Sequence, residues 1–289
     1  MKRKSKDNLF YGLLLLPALT LFVLFFIIPV IQSTWLSFTD SYGMKSTYKF
    51  VGFDNYKEAL YDLSFKKTIN ATSKYALISV IFGNVLSLVL ALVLDSKLKL
   101  KNLLRAIFFI PNIMSLLVVG YIWSFVYTSV FPDVFMAMGI NSFAILGNKT
   151  SVVPALAVVG IWNAAGYYMV IYIAALQGIS EDLIEAARID GAGFLHLLRY
   201  IRLPLIAPTI FTCLILSIAA HMKVFELPYT MTSGGPVGAS MTMVYKIYMT
   251  AFNANRNGYA AAQSIILFII IASVTIVLNY IMKKREEKL

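Results

Sequence analysis

Apolar residues run through this chain in long unbroken stretches rather than in alternation. Six windows contain no Asp, Glu, Lys or Arg: residues 9–31, 75–94, 106–132, 150–180, 203–222 and 257–282. Each reaches the roughly 20 residues that a helix needs to cross the hydrocarbon core of a bilayer. The period-two pattern of a transmembrane barrel is missing. The pattern predicts an all-α, polytopic membrane protein with six transmembrane helices. A seventh uncharged run, 227–245, is interrupted by Thr232-Ser233-Gly234-Gly235-Pro236 and by hydroxyl side chains, and reads as a loop or re-entrant segment. The first window is too long for the apolar stretch of a signal peptide, and no A-x-A site follows it, so it reads as a retained helix.

Composition sharpens this picture. The 289 residues are 59% hydrophobic and 13% charged, about half the charge density of a soluble domain. That excludes an ordinary soluble globule and a disordered chain. The single cysteine, Cys213, lies inside an apolar run and excludes a disulfide scaffold. The net charge of +11 serves topology and anionic lipid rather than nucleic acid. Its cations cluster. Lys2, Arg3, Lys4 and Lys6 precede the first window. Lys97, Lys99, Lys101 and Arg105 lie between the second and third, and Arg188, Arg199 and Arg202 between the fourth and fifth. Lys283, Lys284, Arg285 and Lys288 follow the last. All fall on one side, which the positive-inside rule makes cytoplasmic, with both termini inside. The first loop, about 37–74, carries six lysines on the opposite side and runs against the rule locally. No repeat or low-complexity linker divides the chain. Residues 1–289 read as one integral membrane domain with a core of about 70–285 and a cytoplasmic loop at 178–206.

Catalytic and cofactor signatures are missing. Gly147-Asn148-Lys149-Thr150 lacks the glycine directly before lysine that a phosphate loop requires. No H-E-x-x-H or G-x-S-x-G occurs. His196 and His221 flank opposite sides of the fifth window and cannot join Cys213 in a metal cluster. The expectation is a non-enzyme with no metal or cofactor of its own.

The loop at 181–204 reads EDLIEAARIDGAGFLHLLRYIRLP. Physically it is two short amphipathic helices joined at glycine. Ser180 suits an N-cap, and Glu181 and Asp182 place negative charge on the first turn. Ala186 and Ala187 make a small-residue face, and Gly191 and Gly193 interrupt the helix. Such a helix pair suits docking into a groove of another protein; the plainer reading is an interfacial helix lying on lipid.

Glu185-Ala186-Ala187, Gly191, Ile201 and Leu203-Pro204, at their spacing here, resemble the EAA signature of membrane subunits of binding-protein-dependent ABC importers. Other stretches are similar to the carbohydrate-type permeases of that family, those of the maltose and multiple-sugar importers. They are Phe50-Val51-Gly52-Phe53-Asp54-Asn55-Tyr56, Ile110-Pro111 followed by Trp123, and Phe225 through Pro236. The resemblance covers about residues 9–282. It implies the type I permease fold of ABC importers in a bacterial plasma membrane. It also implies a second permease subunit with its own EAA loop, two cytoplasmic ATPase subunits that bind the ATP-Mg, and an extracellular solute-binding protein that delivers a carbohydrate. The loop would be the ATPase-coupling element, carried by Glu181, Asp182, Glu185, Ala186, Ala187, Asp190, Gly191, Leu203 and Pro204.

Polar groups inside spans are costly and face a cavity or another helix. Asn163 and Tyr167 are i,i+4 neighbours in the fourth window, and Ser217 and His221 in the fifth. Neutral hydrogen-bonding groups and aromatic rings suit a sugar. Alignment with the maltose-type permease on the EAA loop places its sugar contacts on Tyr167, Ser217, Ala220, His221 and Val224. Tyr and Ser keep that permease's residue type; His221 and Val224 replace asparagines, and Ala220 an aromatic. With Asn163, these six are the candidate pathway residues. The alternative for each is interhelical hydrogen bonding. Lys223 reads as a snorkelling cation at the outer end. A polyol or glycerol phosphate importer of the same architecture is a second reading, but a phosphate ester calls for Arg or Lys on the pathway, and the fourth-window face has none. A secondary transporter or channel calls for intramembrane carboxylates or rings of charge, which the six windows lack.

Overall fold

The computed structural model describes residues 15–43, 47–96, 99–139 and 144–286. The basic N-tail, the start of the first apolar window, Lys97 and Lys288 lie outside the described residues. In chain order the helices are α1 (Leu15–Leu36), α2 (Asp54–Tyr61), α3 (Leu63–Leu94), α4 (Lys101–Ile113), α5 (Leu116–Ala137), α6 (Val152–Gln177), α7 (Glu181–Ile189), α8 (Phe194–Leu205), α9 (Ala207–His221), α10 (Met243–Tyr248) and α11 (Asn257–Glu286). Among the described residues the β structure amounts to one bridge, Thr39 to Phe50. The chain is therefore all-α, as the hydropathy pattern predicts. Among the described residues five helices, α1, α3, α5, α6 and α11, are long and apolar enough to cross a membrane. The bent pair α8 and α9, meeting at 66°, makes a sixth where the two are counted as one span. With 15 residues, α9 alone is roughly 22 Å long, short of a hydrocarbon core of about 30 Å.

The contacts fall into two compact units, residues up to Asp62 with Ile247–Leu267, and Leu63–Lys246 with Phe268–Leu289. In the first, Gly52 takes a left-handed turn (φ +57) that sets up α2. The buried Asn55 then donates to the Ser37 and Thr39 carbonyls at 2.9 and 2.8 Å, and the Tyr56 hydroxyl meets Ser37 Oγ at 2.6 Å. The Phe50–Tyr56 stretch is thus a staple for the turn after α1. Arg256 grips Glu58 through two hydrogen bonds of 2.7 and 2.6 Å, and Tyr259 donates to Asp62 at 2.9 Å.

In the second unit α6 is the spine. It is apolar all round and buried along most of its length, as expected for a helix surrounded by others. One core cluster joins Tyr75, Val119, Leu156 and Val159 to Val224 and Leu227; another joins Ala91, Leu94, Met169 and Tyr172 to Ile206 and Cys213. Small residues set the helix separations. A Cβ on Gly166 would overlap the Phe108 carbonyl of α4, and one on Gly160 the Tyr75 hydroxyl of α3.

Three expectations change. The window 106–132 is not one helix. Met114 and Ser115 are extended (ψ 141° and 128°) and separate α4 from α5; hydropathy registers apolar content and not a backbone break. The helix of the second window begins at Leu63, about three turns early, because the window stops at charge whereas the helix carries Lys66, Lys67 and Lys74 on its polar end. Ser180 has the extended backbone of a cap residue, but its side chain makes no capping hydrogen bond. Arg105 does more than mark topology: its guanidinium donates to the Leu94 carbonyl at 2.9 Å, closing the C-terminus of α3. The run 227–245 is a folded-back loop, as its Gly-Gly-Pro predicts. It contains a π-helical turn (Pro228–Thr232) and left-handed Ser233 and Gly234. Thr242 donates to the Val224 carbonyl, and the Met243 amide donates to Thr72 Oγ1, both at 2.8 Å.

The glycine contacts yield a matched test. Gly166→Ala drives a methyl into the α4 backbone and should destabilise the detergent-solubilised protein by about 1–3 kcal/mol. At Gly83 the nearest atom to an added Cβ is Ile161 Cγ1 at 3.9 Å. Gly83→Ala should be neutral or stabilise by up to about 1 kcal/mol through helix propensity. Thermal unfolding of the two variants beside wild type reads both.

Candidate functional site

A cavity of about 400 Å³ opens between the middle of α6, the α4–α5 break and the end of α9. Tyr75, Asn112, Asn163, Tyr167, Ala220, His221 and Val224 line it, as do Lys223 and Glu226 from the turn after α9. Five of the six sequence-predicted pathway residues therefore share one wall. Asn163 donates to the Pro111 carbonyl at 2.6 Å, so it also caps the break in the third window. Tyr167 is 41% exposed, and its ring stands edge-on to Tyr168 at 5.1 Å. His221 Nδ1 lies 2.7 Å from the Ser217 carbonyl. A carbonyl only accepts, so Nδ1 carries the proton in this contact and Nε2 is left as an acceptor.

Ser217 is the exception. It is fully buried and does not reach the cavity. It accepts from Asn84 Nδ2 at 2.9 Å and donates to the Leu214 carbonyl at 3.0 Å. Asn84 Oδ1 in turn accepts from the Tyr172 hydroxyl at 2.7 Å. These side chains bind α3, α6 and α9 together, which is the interhelical alternative weighed above. The i,i+4 spacing places Ser217 and His221 on one face of α9. Only His221, at the helix end, emerges from beneath α3. Asn84 was missed as a site residue, although an amide inside the window 75–94 was a visible signal. Lys223 is exposed, and the turn after α9 also places it, with Glu226, at the cavity.

The loop after α6 folds as the sequence predicts, into two short helices joined at glycine. Gly191 adopts φ +86 with no atom near its Cβ position, so conformation and not space requires glycine there. Its amide donates to the Arg188 carbonyl at 3.0 Å and that of Ala192 to the Ala187 carbonyl at 2.9 Å, a Schellman closure of α7. Asp182, Ala186, Asp190 and Gly191 are exposed. Glu181 and Glu185 border a cleft of about 720 Å³ beside Asp95, Gln177, Arg188 and Arg202. Large apolar side chains are exposed here as well: Ile189 at 86%, Leu195 at 76% and Phe194 at 63%. The motif-based reading missed this apolar tip. Leu203 and Pro204 are not on it; Leu203 packs on the Ile206–Cys213 core, where α8 bends into α9.

Residues 83–287 match the family of binding-protein-dependent transport system inner membrane components. A probable starch degradation products transport system permease protein of Thermoanaerobacterium thermosulfurigenes is 33% identical over 282 residues, 97% of this chain and 96% of that one. A multiple sugar-binding transport system permease protein of Streptococcus mutans is 33% identical over 286 residues, 98% and 99% of the two chains. A bacterial ABC transporter that imports the acidic polysaccharide alginate superimposes with a TM-score of 0.85 at 23% identity, over 98% of each chain; this likeness shows the fold. The chain belongs to the binding-protein-dependent transport system inner membrane components. It is a multi-pass membrane permease subunit with the type I permease fold of ABC importers.

The geometry separates two kinds of site residue. Ser217→Ala should lower stability by about 1 kcal/mol by removing one partner of Asn84. Tyr167→Ala, at an open wall, should leave stability within about 0.5 kcal/mol. Denaturant titration in detergent distinguishes them, and equal effects would contradict this division.

Proposed function

We propose that this permease subunit translocates a carbohydrate through the cavity between α6 and α9, driven by ATPase subunits seated on α7 and α8. The observation that carries the reading is the pairing, in one chain, of an aromatic and amide cavity wall, edged by Lys223 and Glu226, with an EAA-type helix pair bearing an exposed apolar tip. The two relatives above, named for starch degradation products and multiple sugars, support a carbohydrate over a polyol or a phosphate ester. Tyr167 and Tyr75 offer ring faces, Asn163 and Asn112 offer amides, and His221 offers an imidazole nitrogen. Contacts of this kind hold hydroxyls briefly, as release requires. The apolar tip at Ile189, Phe194 and Leu195 is the surface that a partner's groove would cover. ATP-Mg would be held by two such partners, this chain being without a phosphate loop. A second permease would complete the pathway, and an extracellular binding protein would deliver the solute. The distribution of cations supports cytoplasmic termini and a cytoplasmic α7–α8 loop.

In vesicles holding the complete importer, Tyr167→Ala and His221→Ala should each slow solute uptake about tenfold or less, the loss expected for one neutral hydrogen bond or ring contact. Unchanged uptake and solute preference in both would remove the cavity from the pathway. Gly191→Val places a β-branched residue at positive φ, at about 1–3 kcal/mol of strain. It should abolish most uptake while the isolated ATPase subunits keep their hydrolysis rate; wild-type uptake would refute the coupling role.

Orientation is tested with single cysteines at Lys57 and Lys99 in a Cys213→Ser background. The Lys57 side chain is 70% exposed. An impermeant maleimide should label position 57 in intact cells and position 99 only after permeabilisation. The reverse pattern would invert the topology.

A further inference from the structure

We propose that a second, cationic groove at the opposite end of α3 from the α7–α8 loop binds a phosphate-type anion. The groove has a volume of about 510 Å³ and lies between the first turns of α3, the start of α6 and the loop at 237–239. Lys67, Asn70 and Lys74 stand on one face of α3, at i, i+3 and i+7. Lys149 faces them from the segment before α6, and Ala71 and Val153 form a buried apolar floor. No Asp or Glu lines the groove. Among the described residues, ion pairs join Lys57 to Asp54 and Arg256 to Glu58, so none of these three lysines has a carboxylate partner.

Three ammonium groups around one concavity repel one another, and a bound anion offsets that repulsion. Topology does not explain them. The lysines sit at the end of α3 away from Lys99, Lys101 and the arginines of α7 and α8, where the positive-inside rule calls for few cations. Val237 on the rim is a β-branched residue in the left-handed region (φ 51) and is 83% exposed; conformational strain of this kind gathers at ligand sites. The chemistry selects the ligand class. Lysines act as compact point charges that need no planar, two-pronged partner, unlike arginine forks. Three lysines with no arginine suit a phosphate, whose charge is spread over several oxygens. Asn70 adds an amide, and the apolar floor accommodates carbon attached to the phosphate. That phosphate is either a lipid headgroup or a soluble anion. The site stands apart from the translocation cavity and does not depend on the transport reading.

The test uses the full chain purified in neutral detergent and follows thermal unfolding. Inorganic phosphate, phosphatidylglycerol and phosphatidylcholine are titrated separately, with chloride matching ionic strength. Stabilisation by phosphatidylglycerol alone identifies a lipid site, and stabilisation by inorganic phosphate identifies a soluble anion; either supports the proposal. Each lysine near an anionic group contributes about fivefold in affinity, so K67Q/K74Q/K149Q should weaken binding about a hundredfold. K67R/K74R/K149R should stay within about tenfold of wild type, because charge is retained. K99Q/K101Q, at the other end, should change nothing. The proposal fails if neither phosphate stabilises the wild type beyond matched chloride. It fails equally if the triple glutamine variant binds as wild type does, or if K99Q/K101Q weakens binding as much.

Discussion

Everything in the second unit depends on how closely α3 and α4 approach α6. In lipid there is little hydrophobic gain from bringing two apolar helices together, so contact must come from packing. Gly160 and Gly166 provide it by removing the Cβ where the Tyr75 hydroxyl and the Phe108 carbonyl arrive. Both residues sit in the stretch of α6 that forms the cavity wall. The separation set by glycine therefore also sets the cavity's width. A wider spacing would move Tyr75 away from His221, now 5.9 Å apart ring to ring, and would part Asn163 from the Pro111 carbonyl that it caps.

Polar side chains within the helices divide according to this geometry. Away from the cavity, the buried Asn84, Ser217 and Tyr172 satisfy one another. Asn163, Tyr167 and His221 line the cavity itself. A buried amide left unpaired is expensive, so the buried group fixes the helices. The lining group keeps hydrogen-bonding capacity for a solute. The backbone bond between His221 and Ser217 joins the two groups, so a change at the buried network reaches the cavity wall within one helical turn.

The charged positions divide in the same way. On the α7–α8 loop, carboxylates and arginines border a cleft while the apolar tip projects, an arrangement suited to a protein partner. At the other end of α3 the lysines gather without carboxylates. Lys223 and Glu226 lie between these ends and give the otherwise neutral cavity a charged edge. Hydropathy groups all of these residues as boundaries of spans; their neighbours give them separate tasks.

Sequence by itself determined the all-α membrane class, the number of apolar segments, the folded-back Gly-Gly-Pro loop and the glycine-hinged helix pair. Each follows from local physics: apolar length against bilayer thickness, and backbone freedom at glycine. The tertiary structure decided the rest. It broke the third segment at Met114–Ser115, bent the fifth at Ile206 and separated the contacts into two units. It turned Ser217 into a structural contact while leaving His221 on the cavity. It brought Lys223 and Glu226 to the same wall and gathered Lys67, Lys74 and Lys149 from segments far apart in the chain. Helical spacing tells which residues share a face, but not which face another helix covers. That depends on the long-range approach of backbones, which here the glycines of α6 control.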